Sequence, residues 1–156
     1  MSSLVERGTD RCNAGPLIAL ASVAQLDLLR AMYRRVVVPQ PLIDEIVHSG
    51  AGRTGAIEVE SASWIEAIPS PGQMDPLLAA ELGTGESAVL GVAVQLHAPL
   101  VSIDERRARR IATQVYGLTV KGTAGILVEA KRAGLLPSIR PSWKGSPREA
   151  IFSRLA

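Results

Sequence analysis

The hydrophobic pattern of the chain alternates between two periods. Short apolar, largely β-branched runs predict strands, and apolar residues three and four positions apart predict helices. Alternation of the two is typical of an α/β fold around a mostly parallel sheet. Strands are predicted at residues 36–38, 64–68, 100–103 and 118–120, helices at 40–47, 75–82, 84–96, 104–115 and 124–133, two further helices within 16–32, and loops at 50–55 and 70–72.

A polar segment precedes the first predicted helix. Residues 9–13 would be the opening strand if the sheet begins the fold. Asp10, Arg11 and Asn13 interrupt the continuous apolar run that a buried parallel strand normally shows. We therefore predict a strand here from its place in the alternation, with Asn13 at its end.

Composition narrows the class of protein. The chain has 156 residues, 47% of them hydrophobic, and a formal charge of +2, which fits a single domain spanning the chain. Its few aromatic residues argue against proteins that recognise single-stranded nucleic acid by stacking the bases on rows of aromatic side chains. The single cysteine, Cys12, can form neither an internal disulfide nor a cysteine-based zinc site, which favours the cytoplasm. The charge-free residues 87–103 are too few and too interrupted to cross a membrane.

Two groups of basic residues could serve as binding surfaces. From Lys131 onward the sequence has six basic residues and one acidic residue. This excess of positive charge predicts either a basic tail that binds a partner or phosphate, or an ordinary solvated segment. The second group lies on the helix predicted at 104–115 and could be a solvated helix face or a nucleic-acid contact. Arg109 could also form an ion pair with Glu105, four residues before it. This group consists of Arg106, Arg107, Arg109 and Arg110.

Residues 83–88 carry the letters of a dinucleotide-binding fingerprint. In that motif the glycine turn follows a strand, whereas residues 75–82 predict a helix, and Glu86 would stand where an anionic phosphate binds. A doubly wound nucleotide-binding domain is therefore the least favoured alternative. The segment fits better as a helix start, with Thr84 as its cap and Glu86 in its first turn.

Oxygen-bearing side chains recur where predicted strands end and helices begin. The carboxyl ends of parallel strands meet at one edge of a sheet, so such side chains can converge there. No serine or carboxylate partner is suggested for His48 or His97, so a triad hydrolase has no support. The candidates for a site are Asn13, Glu45, Glu86, Asp104 and Glu105.

Each candidate also has a purely structural explanation. Asp104 could cap the helix predicted after it, and Glu86 could serve only to stabilise the helix dipole. One of Asp44 and Glu45 is expected to be solvated, and Asn13 could be a turn residue. Spacing alone leaves both explanations open.

Seven short segments then follow in a set order. They read NAGPLI at 13–18, LDLL at 26–29, VVVP at 36–39, GESA at 85–88, IDERR at 103–107, GTAGIL at 122–127 and AKRAGL at 130–135. This series resembles the PIN-like family of short prokaryotic proteins related to the ribonuclease toxins of toxin–antitoxin pairs. The resemblance extends over residues 12–140, nearly the whole domain.

The resemblance implies a three-layer α/β/α fold and a metal-dependent endoribonuclease, the toxin of a toxin–antitoxin pair. It implies an RNA substrate, an antitoxin partner and a homodimer, for which the apolar helices within 16–32 would be the interface. Carried over by position, the ligands for Mg²⁺ or Mn²⁺ would be Asn13, Glu45, Glu86 and Asp104, with Glu105 adjacent. Such metals prefer oxygen ligands, so no histidine is required.

Two positions depart from the family pattern. Asn13 stands where PIN nucleases usually carry aspartate, and Gly15 stands where this branch usually has serine. Asn13 can still offer a carbonyl oxygen, but a site with one carboxylate fewer should bind a divalent cation more weakly. The alternative function is therefore a catalytically weakened PIN-like module that binds a protein partner or RNA.

Overall fold

The computed structural model of this chain describes residues 10–13, 15–22, 25–49 and 54–136, the first of these segments by its backbone alone. Within them, five strands form one sheet in the order β3-β2-β1-β4-β5, and every neighbouring pair is parallel. The predicted parallel α/β fold is confirmed. The strands are β1 (Asp10–Asn13), β2 (Arg35–Pro39), β3 (Ile65–Ile68), β4 (Leu100–Ser102) and β5 (Val120–Lys121).

Helices follow or precede each strand, as the hydrophobic pattern predicts. None of those described is long and apolar enough to cross a membrane. In chain order they are α1 (Gly15–Ser22), α2 (Asp27–Met32), α3 (Gln40–Ser49), α4 (Thr54–Ser61), α5 (Pro76–Glu81), α6 (Thr84–Gln95), α7 (Arg106–Gln114) and α8 (Thr123–Arg132).

Both faces of the sheet are covered. Successive side chains of a strand point to opposite faces, and all three valines of β2, Val36, Val37 and Val38, are buried. The three residues of β4 are buried as well. A parallel sheet buried on both faces needs a layer of helices on each side, which is the predicted three-layer arrangement.

The polar first strand lies at the centre of the sheet. β1 pairs with β2 on one side and with β4 on the other, and Asn13 is the register partner of Ser102. Its backbone hydrogen-bonding groups are therefore satisfied on both edges, which explains why a segment without a continuous apolar run still forms a strand.

Two details of the predicted pattern are wrong. Helix α4 is not among the predicted helices, and its first two residues, Thr54 and Gly55, lie in the predicted loop; it forms because Ala56 and Val59 are buried in the core. The fifth strand lies at Val120–Lys121 instead of 118–120, since its pairing with Val101 and Ser102 of β4 fixes its register.

Some sequence-based expectations concern surfaces. The apolar side chains of α1 and α2, such as Leu17, Leu20 and Leu29, are buried in the chain's own core, so a dimer there would have to use other side chains of these helices. Lys131 and Arg132 are exposed at the end of α8. The other basic residues of the predicted tail lie outside the described residues.

Candidate functional site

The topology places a crevice at the carboxyl edge of the sheet. From central β1 the chain extends to β2 on one side and to β4 on the other, and ligands of open α/β sheets bind at such a reversal of strand order. Asn13 ends β1, and Asp104 and Glu105 follow β4. The predicted site residues on these two strands therefore share this edge.

A cleft of about 780 Å³ occupies this edge. It brings together Glu45 from α3, Glu86 from α6, and Asp104 and Glu105 from the segment after β4. The remaining lining residues are Pro41, Leu42, Asp44, His48, Gly83, Thr84, Gly85 and Ile103. All four predicted carboxylates thus face one space, although more than 50 residues separate the first from the last.

Asp104 is held by the first residue of α8. The backbone N–H of Thr123 donates to Asp104 Oδ1 at 2.7 Å, and the Thr123 hydroxyl donates to Asp104 Oδ2. Thr123 is only 3% exposed, so its own position is fixed by packing. Each carboxylate oxygen of Asp104 has a further lone pair that these bonds leave available.

Glu105, and not Asp104, caps the helix that follows. Its Oε1 accepts from the N–H of Arg107 at 2.8 Å, and its Oε2 accepts from the N–H of Ala108 at 2.7 Å. The structural explanation considered for Asp104 is therefore wrong for that residue, because α7 begins two residues later, at Arg106. Capping occupies Glu105 and leaves Asp104 to project into the cleft.

Glu86 lies in a partly buried, negatively charged part of the cleft. Burial raises the pKa of its carboxyl above the ordinary value, and the negative charges of Glu105 and Glu45 raise this pKa further, while a hydrogen bond from the Gly83 backbone opposes them. Glu86 lies in the first turn of α6, as predicted. Thr84 is not the cap, since Gly83 takes that position and lacks a side chain to donate or accept.

A close approach of α3 and α6 positions Glu45. A Cβ atom on Gly85 would lie 2.8 Å from Glu45 Oε2 and 3.2 Å from Leu42 Cδ1. The carboxylate of Glu45 thus rests against the bare backbone of Gly85, next to Glu86. Any larger residue at position 85 would occupy this space.

We expect Gly85→Ala to displace Glu45 without unfolding the protein. The added methyl group meets the flexible end of the Glu45 side chain, which can move at little cost. The carboxylate of Glu45 then leaves the cleft. Manganese affinity should fall about tenfold or more, as is typical for lost support of a ligand, and this can be followed by the metal-induced thermal shift. Gly72→Ala is the control, because a Cβ there meets nothing within 4 Å. Equal metal affinity of both variants would contradict this placement of Glu45.

A buried hydroxyl lies beside the first predicted ligand position. Ser102 is fully buried, and its Oγ has no hydrogen-bond partner among the residues that the structure describes. Its register partner across the sheet is Asn13, whose side chain lies outside the described parts. An unsatisfied polar atom at the end of a central strand is a feature that binding sites tolerate and cores avoid.

Sequence reasoning missed three contributors to the cleft. Thr123 and Gly85 lie within the GTAGIL and GESA segments, but their roles depend on contacts with residues distant in sequence. His48 also lines the cleft, and its Nδ1 lies 2.6 Å from the backbone oxygen of Asp44. The spacing of Asp44, Glu45 and His48 on one helix was the available signal for the latter.

The donor set suits a hard divalent cation. Carboxylate oxygens are the ligands that Mg²⁺ and Mn²⁺ prefer, and the pKa of Glu86 is raised first by burial and then by the negative charges of Glu105 and Glu45 beside it. In the described residues, no three Asp, Glu, His or Cys side chains stand close enough together to hold a metal in their present rotamers.

A second, smaller cavity lies elsewhere. It measures about 370 Å³ and is bounded by the start of α2, the end of α4 and Trp64, which precedes β3. Trp64 is therefore at the amino edge of the sheet, opposite to the edge where strand ends converge. The larger cleft is the candidate site.

Comparison with known families agrees with this geometry. The segment at residues 83–88 follows helix α5, which removes the structural basis for a dinucleotide fingerprint. No curated protein matches the chain. The model of one domain family (DUF3368), described as a PIN domain, matches residues 12–144. This range includes the second half of β1, the other four strands and the entire cleft. The chain belongs to the PIN domain family.

Proposed function

We propose that this chain is a metal-dependent endoribonuclease, the toxin component of a toxin–antitoxin pair, acting in the cytoplasm. The observation that carries the proposal is the convergence of Glu45, Glu86 and Asp104 on one cleft at the carboxyl edge of the sheet. Membership of the PIN domain family supports it, because PIN domains have a nuclease-like fold and are generally dependent on divalent metals.

Each residue has a definite task in this proposal. Glu45, Glu86, Asp104 and the amide oxygen of Asn13 would hold Mg²⁺ or Mn²⁺. A metal held by these residues would supply an activated water and neutralise charge on the phosphate. Thr123 fixes the Asp104 carboxylate through its two hydrogen bonds, so that this ligand needs little reorganisation.

Cleavage of a mixed-sequence RNA by the purified protein tests the proposal. We expect products with manganese or magnesium, none with chelator, and cleavage reduced about 100-fold or more in Asp104→Asn. Cleavage that persists in chelator, or that proceeds at the parent's rate in this variant, would show that the activity belongs to another site or another protein. Circular dichroism of every sample shows whether a protein that does not cleave RNA is folded.

A catalytically weakened module that binds a protein partner or RNA is the alternative. Two observations favour it: Asn13 brings no charge to the cleft, and the described carboxylates are not grouped as a metal site in their present rotamers. RNA or partner binding by a folded protein that cleaves in no metal would support this function.

Asn13→Asp separates the two functions. It restores a fourth carboxylate at the end of the central strand, and added ligand charge strengthens divalent-cation binding. For an active parent we expect a modest gain, with manganese affinity about tenfold higher and cleavage raised in parallel. A parent that is inert and becomes active only as Asn13→Asp would instead establish the weakened module.

The proposed partners follow from the same function. RNA is the substrate, an antitoxin protein would cover the cleft or the surfaces near it, and two copies of the chain would form a homodimer. The acidic character of the cleft supports an antitoxin segment of opposite charge, because complementary potentials guide association.

A further inference from the structure

The cleft itself carries the wrong charge for an RNA strand. In the described structure its lining includes five carboxylates, those of Asp44, Glu45, Glu86, Asp104 and Glu105, and neither lysine nor arginine. Nucleic acid affinity depends largely on neutralising phosphates with basic side chains. Among the described residues, any basic side chain that helps to retain an RNA therefore stands outside the lining of the cleft, at its rim.

Among the described residues, helix α7 carries a cluster of cations beside that rim. It starts directly after Glu105, which lines the cleft, and carries four arginines in its first five residues. Two of them have partners: Arg107 forms an ion pair with Glu81, and Arg110 Nε donates to Gln114 Oε1 at 3.2 Å. The four cations are therefore not equivalent.

Arg109 lies next to a proposed metal ligand. Its Nη1 and Asp104 Oδ1 are each 2.9 Å from the point where a Cβ of Gly122 would lie, so the absence of a side chain at Gly122 gives both groups room. The pairing of Arg109 with Glu105 that the sequence left open does not form, since Glu105 caps α7. Asp104 is engaged by Thr123 and forms no ion pair with Arg109 within the described parts of the chain.

We propose that Arg109 is the phosphate-contacting residue of this site. It would bind the RNA phosphate next to the phosphodiester bond that is cleaved at Asp104. The exposed guanidinium of Arg109 has no side-chain partner among the described residues and lies beside the proposed metal ligand Asp104, so it can donate two hydrogen bonds to an RNA phosphate. The inference rests on the proposed function for the identity of Asp104 as ligand. It assigns the substrate contact to one arginine of the four.

Binding can be measured without cleavage. The full chain in chelator is titrated into a fluorescein-labelled, single-stranded RNA of mixed sequence at several KCl concentrations, and fluorescence anisotropy gives the affinity at each. Arg109→Gln should weaken binding and reduce the slope of log affinity against log salt by about 0.7, the value for one phosphate contact on a single strand. Arg107→Gln is the matched control, since its charge is already neutralised by Glu81, and it should leave the slope unchanged.

A second readout concerns catalysis. With manganese, Arg109→Gln should lower kcat/KM for cleavage at least tenfold, and Arg109→Lys, which keeps the charge but loses the fork of donors, should restore the salt slope but only part of kcat/KM. Unchanged binding by Arg109→Gln, or an equal loss in Arg107→Gln, would overturn the assignment. Loss of binding in Arg109→Gln from a parent that never cleaves would leave the assignment standing and refute the nuclease.

Discussion

Replacing Glu86 by glutamine is expected to stabilise the metal-free protein while removing the proposed RNA cleavage. The carboxylate is partly buried next to Glu105 and Glu45, so its charged form is disfavoured in the folded state. Glutamine has nearly the same shape without the charge. We expect the melting temperature near neutral pH to rise by about 1–3 °C, measured by circular dichroism in chelator.

The pH dependence of this effect has a definite sign. Because the folded-state pKa of Glu86 lies above its ordinary value of 4.5, the folded protein binds this proton more tightly than the unfolded chain does. The contribution of Glu86 to stability is therefore greatest below pH 4.5 and is lost as pH rises toward the raised pKa. The advantage of Glu86→Gln should accordingly vanish in acid and be complete near neutrality.

Manganese should reverse the order of stabilities. A ligand at 100 times its dissociation constant stabilises the folded state by about 2.7 kcal/mol, and the glutamine variant should lack most of this gain. Glu60→Gln, an exposed carboxylate on α4 outside the cleft, is the matched control and should respond to the metal as the parent does. A glutamine variant that is stabilised by manganese as strongly as its parent would remove Glu86 from the metal site.

Two substitutions at Asp104 should distinguish its effect on the stability of the fold from its effect on RNA cleavage. In Asp104→Asn, the side-chain oxygen can still accept from the Thr123 N–H and the amide can donate to the Thr123 hydroxyl, so the fold should keep its stability. Loss of a charged metal ligand should nevertheless reduce cleavage about 100-fold or more. Cleavage rates and melting curves measured on the same preparations provide both halves of this prediction.

Asp104→Ala should lose both properties. It leaves the N–H and hydroxyl of Thr123, a residue only 3% exposed, without their acceptor, at a cost of about 1–3 kcal/mol. If the alanine variant were as stable as the asparagine variant, the contact with Thr123 would have no structural weight. If the asparagine variant cleaved RNA at the parent's rate, Asp104 would not be a ligand.

Residue type and position along the chain provide the candidates for the site, and the resemblance to the PIN-like family implies which of them are metal ligands. Glu45, Glu86 and Asp104 could be singled out because they follow predicted strands or begin predicted helices, and strand ends meet at one edge of a parallel sheet. Glu105 was predicted only as a neighbour of the site. Its role as the cap of α7 depends on two backbone N–H groups whose positions spacing does not reveal.

The sequence by itself determined the α/β class, most element positions and the order of the acidic residues, because hydrophobic periodicity records which face of each element is buried. Tertiary structure decided the rest. The polar β1 is a strand because two neighbours pair with it, α4 is a helix because Ala56 and Val59 are buried, and Asp104 is held by Thr123, 19 residues away. Such contacts join residues distant in the chain, and local pattern does not encode the geometry that brings them together.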